Sequence, residues 1–209
     1  MTDKPVTFVS LSLATVTVPP TANADAGPGT HLVGAGLLIA TRDGTRWRFS
    51  SEAATISAGE KEQNLLLWLA DRLPMADTLI GWQIDQHLVP ALIDAAAHAD
   101  AAIAHHFTLR LARALRNTVV DMSVDPGAAV APRAATEVTV PPSMAPGALL
   151  AAWGIGRLDA VRADLATEAI GTWLAFVGQT KTPGMEAQQA TRDWMHRRRR
   201  IALVEGRTA

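Results

Sequence analysis

Two carboxylates four residues apart, Asp164 and Glu168, lie in a strongly amphipathic stretch and share one face of the helix expected there. A second pair able to do chemistry, Asp85 and His87, follows a short apolar run. Brought together, these four would surround a cation. Carboxylate oxygens suit hard ions such as Mg²⁺ or Mn²⁺, and an imidazole moves the preference toward Zn²⁺ or Mn²⁺. The same residues also read as a solvated pair and a helix-capping aspartate, which are everyday roles for these types. His98, His105 and His106 lie on or beside an alanine-rich helix, where an exposed ring is a plainer reading than metal ligation. His196 opens a run of four arginines, Arg197, Arg198, Arg199 and Arg200. Adjacent arginines neutralise phosphates in a salt-dependent way; they are also common on solvated tail helices that meet acidic partners. Trp194 beside them is placed either to stack on a base or to pack the tail onto the domain or a second subunit.

Composition narrows the chemistry. The 209 residues include no cysteine, which removes disulfides, thiolate metal sites and thiol catalysis. A net charge of −1 means that any affinity for nucleic acid has to come from a local patch. The hydrophobic fraction of 48% supplies a core for one large domain. No Gly-x-Ser-x-Gly or phosphate-loop signature occurs, and Gly34-Ala35-Gly36 reads as strand rather than nucleotide loop. No apolar stretch reaches the roughly 18 residues of a membrane span. The N-terminal run with Ala22-Asn23-Ala24 after it has a superficial likeness to a secretory leader. Its Ser, Thr and Val content instead favours a strand, and a cytoplasmic location is expected.

The elements that must position these residues follow from periodicity and punctuation. Val6–Val18 is a β-branched run closed by Pro19-Pro20, and residues 32–40 and 45–49 form a hairpin through Arg42-Asp43-Gly44. Ser57 with Glu60 three residues on predicts a capping box opening a helix that carries Leu65, Leu66, Trp68, Leu69 and Leu73. Residues 78–84 read as a buried strand, 88–102 and 107–115 as helix, and 117–122 as a further strand. Residues 125–146 form a long loop, with an extended piece at 136–140. Helices follow near 146–153 and 160–178, and the last segment is polar and helical. The order implies an α/β domain with a mixed central sheet flanked by helices, spanning 1–180, and a basic helical tail over 181–209.

One segment carries more than periodicity. Gly81-Trp82-Gln83-Ile84-Asp85-Gln86-His87-Leu88-Val89-Pro90 resembles the second motif of the DEDD (DnaQ-like) 3′–5′ exonuclease superfamily, in which Gly-(aromatic)-Asn-x-x-Phe-Asp-Leu-Pro turns a strand into a helix. Other pieces line up in order: Ser10-Leu11-Ser12-Leu13 with the first motif Asp-x-Glu-Thr, the Glu60-Lys61-Glu62 helix, Val120-Asp121-Met122, Trp153-Gly154-Ile155, and residues 164–173 with the third motif. The match is similar to the predicted exonucleases that resemble the proofreading domain of family B DNA polymerases. It implies an RNase H-like fold and a two-metal scheme for phosphodiester cleavage held by four carboxylates. Here those positions fall on Ser10, Ser12, His87 and Glu168, and the family's water-orienting tyrosine falls on Asp164. Two neutral hydroxyls bring no charge to a hard cation. The resemblance therefore implies a nucleic-acid-associated domain that is catalytically inactive and without a cofactor, meeting single-stranded nucleic acid, or a protein or a second copy through its tail. The alternatives are an active exonuclease using Mg or Mn, with Asp85, His87 and Glu168 as rebuilt ligands, and an oligomeric scaffold working through the tail.

Overall fold

A computed structural model describes residues 4–19, 29–123, 144–180 and 184–205, with side chains of the last helix through Arg198. The expected segment at 136–140 lies outside the described residues. β1 (Val6–Val18), β2 (Gly29–Asp43) and β3 (Arg46–Thr55) form an antiparallel meander. β4 (Thr78–Gly81) and β5 (Thr118–Asp121) then add in parallel on the other side of β1. The result is a five-stranded mixed sheet in the order β3-β2-β1-β4-β5, with β1 at its centre.

Alternation along β1 divides the core in two. Val9 and Leu11 point into a cluster with Leu65, Leu66 and Leu69 of α1 (Gln63–Arg72), Leu92 of α2 (Val89–Ala97), and Phe107 and Leu111 of α3 (Ala101–Ala114). Phe8, Ala14 and Val16 face the other way. That face is covered by α4 (Pro146–Gly154), α5 (Leu158–Gln179) and the first half of α6 (Gly184–Glu205). Helices thus cover both faces. No helix among the described residues is long and apolar enough to cross a membrane.

The structure corrects the expected elements at three places. Ser57 and Glu60 do not open a helix: the Glu60 carboxylate accepts the Ser57 backbone N–H at 2.6 Å and its hydroxyl at 2.7 Å, closing a turn, and α1 starts only at Gln63. These bonds, the hydroxyl's first, hold the Glu60 carboxyl below its ordinary range. The strand expected at 78–84 stops at Gly81, and a π-helical turn, Ile84–Leu88, leads into α2. The helix expected over 88–102 is broken after Ala97, where Asp100 adopts extended backbone. Gln63 holds the break by donating to the Asp100 carboxylate at 3.1 Å and accepting the Asp100 N–H at 3.2 Å. His98 lies at this break with Nδ1 2.8 Å from the Asp94 carbonyl, so one of its ring nitrogens is spent on the end of α2. The C-terminal segment is bound to the domain by its first half: Ala187 and Thr191 are fully buried.

Candidate functional site

Ser10 and Ser12 are the only polar side chains of β1 that are buried, and both lie on the face covered by α5, between Phe8 and Ala14. Ser12 pairs across the sheet with Gly36 of β2. Its hydroxyl donates to the Leu165 carbonyl of α5 at 2.9 Å, from a residue 153 positions away. That bond requires the helix backbone to come down directly on the strands. Gly36 makes the approach possible: a Cβ there would stand 2.5 Å from the Leu165 oxygen and 2.6 Å from the Ser12 Oγ. The Ser10 Oγ is buried with no hydrogen-bond partner among the described residues. The space facing Ser12 is therefore occupied by helix backbone, where a cation would need converging carboxylates and its own coordinated water.

One turn along α5 from Leu165, Glu168 is half-buried. Burial pushes its carboxyl up to about 7, and the neighbouring Asp164 charge adds to the effect. Asp164 is engaged elsewhere, accepting the Met144 N–H with both oxygens at 3.0 Å and so fixing the chain as it enters α4. The sign of the Glu168 shift makes a prediction. A carboxyl that titrates near 7 when folded and near 4.5 when unfolded favours the fold in its neutral form. That contribution is complete below pH 4.5 and is lost as pH rises through 7. Glu168→Gln should match the parent near pH 4 and exceed its unfolding free energy by about 2–3 kcal/mol near pH 8. Urea denaturation at both pH values measures this; an equal effect at the two would refute it.

Asp85 and His87 project from the π-helical turn and are exposed. Among the described residues no three His, Asp or Glu side chains gather into a group able to hold a metal, so Asp85, His87 and Glu168 do not come together as ligands. Ser10, Ser12, His87 and Glu168 offer two hydroxyls, an imidazole and one carboxylate, where the resemblance implies four carboxylates for a pair of hard cations.

The turn carrying Asp85 and His87 is organised by Asp121, which the sequence marked only as the end of the Val120-Asp121-Met122 strand. Gln83 adopts φ +49°, rare for a residue with a side chain. The Asp121 carboxylate, at the end of β5, accepts the N–H groups of Gln83 at 3.0 Å and Ile84 at 2.7 Å, together with the Ser123 N–H at 2.9 Å and hydroxyl at 2.6 Å. Burial opposes its charge, but the bonds from Ser123, Ile84 and Gln83 together outweigh it and hold the carboxyl below its usual value. The available signal was an aspartate at a strand end with a serine two residues on; its partner segment lies 37 residues upstream.

On α6, Trp194 packs against Phe49 of β3 with ring centroids 5.5 Å apart, and Arg198 lies over the outer face of the Trp194 ring at 5.5 Å. Trp194 thus packs the basic segment onto the sheet. Arg197 is exposed. The side chains of Arg199 and Arg200 lie outside the described residues. A separate cavity of about 310 Å³ opens near the start of α1, lined by His31, Lys61, Glu62, Gln63, His98 and Trp153 among others. Much of its polar lining is engaged within the protein, as in the 3.0 Å contact between His31 and Glu62. What the folded chain defines is an α/β domain with a mixed sheet. No protein-family model matches it, and no curated protein or solved structure is significantly similar.

Proposed function

We propose that the chain is an RNase H-like domain of the DEDD exonuclease type that has given up its metal site and acts as a nucleic-acid-associated binding module. The mixed sheet with helices on both faces is compatible with that fold. One observation carries the functional half of the reading: the buried hydrogen bond from Ser12 to the Leu165 carbonyl over Gly36. On this reading the helix backbone bonded to Ser12 stands in for the carboxylates and cations that two-metal hydrolysis needs. Glu168, about one turn on from Leu165 along that helix, is kept partly neutral at pH 7 by its surroundings, which further weakens it as a ligand. The exposed Arg197 and Arg198 offer charge for phosphate contact, and the acidic partner or second copy considered for the tail would meet the same segment. The domain works in the cytoplasm on this reading.

End-labelled single-stranded DNA and RNA incubated with Mg²⁺ or Mn²⁺ test it. Neither the parent nor an Asp85→Ala, Asp164→Ala, Glu168→Ala triple variant should shorten the 3′ end. Metal-dependent loss of 3′ nucleotides by the parent alone would establish the alternative, an active exonuclease with rearranged ligands. Salt-insensitive self-association without nucleic-acid binding would establish a scaffold instead.

A further inference from the structure

The C-terminal half of α3 and the turn after it carry arginines and no acidic residue. From residue 101 to residue 120 there is no Asp or Glu, although the protein as a whole has net charge −1. Within that stretch Arg110, Arg113 and Arg116 recur every third residue, with His105 and His106 one turn earlier. The inner face of the helix is fixed in the core by Phe107, Leu111 and Ala114, which turns the arginines outward. Arg113 and Arg116 are exposed and Arg110 partly so. Arg42, Arg72 and Arg162 pair with Glu186, Glu52 and Asp159. Neither Arg110 and Arg113 on α3 nor Arg116 in the turn just after it makes an ion pair or a side-chain hydrogen bond among the described residues. The helix C-terminus favours cations and so accounts in part for Arg113 and Arg116. It accounts neither for Arg110, a full turn further in, nor for the absence of acidic residues around all three.

We infer that the outer face of α3 is a phosphate-contacting surface for the backbone of a nucleic acid. Three guanidinium forks three residues apart, without an ion-pair partner among the described residues, suit a polymer that repeats its charge at regular intervals. The ridge descends α3 toward Asn117 and the start of β5. The Ser12–Leu165 contact and the turn bearing Asp85 and His87 lie toward the opposite, C-terminal ends of β4 and β5. It is therefore a second surface, distinct from the exonuclease-motif positions and from the α6 run. The inference rests on the proposed association with nucleic acid but assigns a site that the resemblance does not.

The test is fluorescence anisotropy with a labelled single-stranded DNA of about 20 nucleotides, titrated with the full chain between about 50 and 200 mM salt. The variant Arg110→Gln, Arg113→Gln, Arg116→Gln should bind at least about tenfold more weakly at low salt, with a log–log salt slope shallower by about 2, from three lost phosphate contacts. A charge-matched variant, Arg46→Gln, Arg48→Gln, Arg157→Gln, should retain parental affinity and slope, and circular dichroism checks that both are folded. Equal weakening in the two variants would overturn the inference by reducing it to net charge. Parental binding by the α3 variant would overturn it while leaving the proposed function standing. Absence of binding by the parent would remove both. Displacement of the DNA by polyglutamate as readily as by unlabelled DNA would overturn it in favour of an acidic protein partner.

Discussion

Gly36→Ala should be among the most damaging single-methyl changes in this protein, lowering unfolding free energy by about 3 kcal/mol or more. Alanine in place of glycine ordinarily helps a strand a little, by limiting the unfolded chain. Here the added carbon would meet the Leu165 carbonyl oxygen at 2.5 Å and its carbon at 2.7 Å, with the Ser12 hydroxyl at 2.6 Å. Two of those three atoms are helix backbone, so relief requires α5 to lift from the sheet. Lifting it breaks the buried Ser12 hydrogen bond and opens the cluster in which Leu165 and Val161 meet Val16 and Val33 of the sheet. Gly34→Ala is the control two residues away. Its added carbon would meet first the Leu165 Cδ1 at 2.6 Å, a methyl that can rotate aside, and then Thr55 and Ala54 at 3.0 and 3.1 Å. That change should cost about 1–2 kcal/mol. Chemical denaturation of both variants decides the matter; a Gly36→Ala protein as stable as Gly34→Ala would mean that α5 is not seated as described.

Trp173→Ala should be comparably severe, at about 3–5 kcal/mol. Trp173 is fully buried and its ring lies within 5.5 to 6.3 Å of those of Phe8, Trp47, Phe49 and Phe176. It is the hub of the aromatic cluster between α5 and the β1–β3 meander. Its indole N–H also donates to the Thr191 hydroxyl at 2.9 Å, and that hydroxyl in turn donates to the Ala187 carbonyl at 2.6 Å. Truncation therefore removes a large apolar body and the polar tie between α5 and α6 together. Trp173→Phe separates the two effects, keeping most of the ring volume while losing the tie, and should cost about 1–2 kcal/mol. Thermal denaturation gives the totals, and limited proteolysis reports α6. If Trp173→Ala leaves α6 as protected as in the parent, the helix is held by Trp194 and its neighbours instead.

Local signals carried the elements whose causes are themselves local. β1 runs Val6–Val18 as its β-branched composition and the Pro19-Pro20 stop imply, and α4 begins at Pro146 and ends at Gly154 as expected. An α/β domain with a mixed sheet was legible from the order of the segments. Where the reading failed, the deciding partner was remote or the local pattern was ambiguous. Ser57 and Glu60 satisfy a turn with the same bonds that would cap a helix, so the spacing cannot tell the two apart. The break after Ala97 depends on Gln63, 37 residues before Asp100, and no proline or glycine marks it. At the candidate site the sequence singled out Ser10, Ser12, Asp164 and Glu168, which lie on one side of the sheet. It was silent on the Leu165 carbonyl, because a backbone acceptor has no residue type to betray it.

The clamp made by Asp121 bears on how the domain assembles. The turn from Gly81 into the π-helical segment is completed by acceptors that arrive only with β5, after the chain has passed through α2 and α3. In the nascent chain, Gln83 gains nothing for its left-handed backbone until that strand docks. Closing so long a loop is a late and entropically costly event. The surface that displays Asp85 and His87 thus has its full set of bonds only once β5 has docked, and a chain interrupted before β5 would present those two residues on an unset turn.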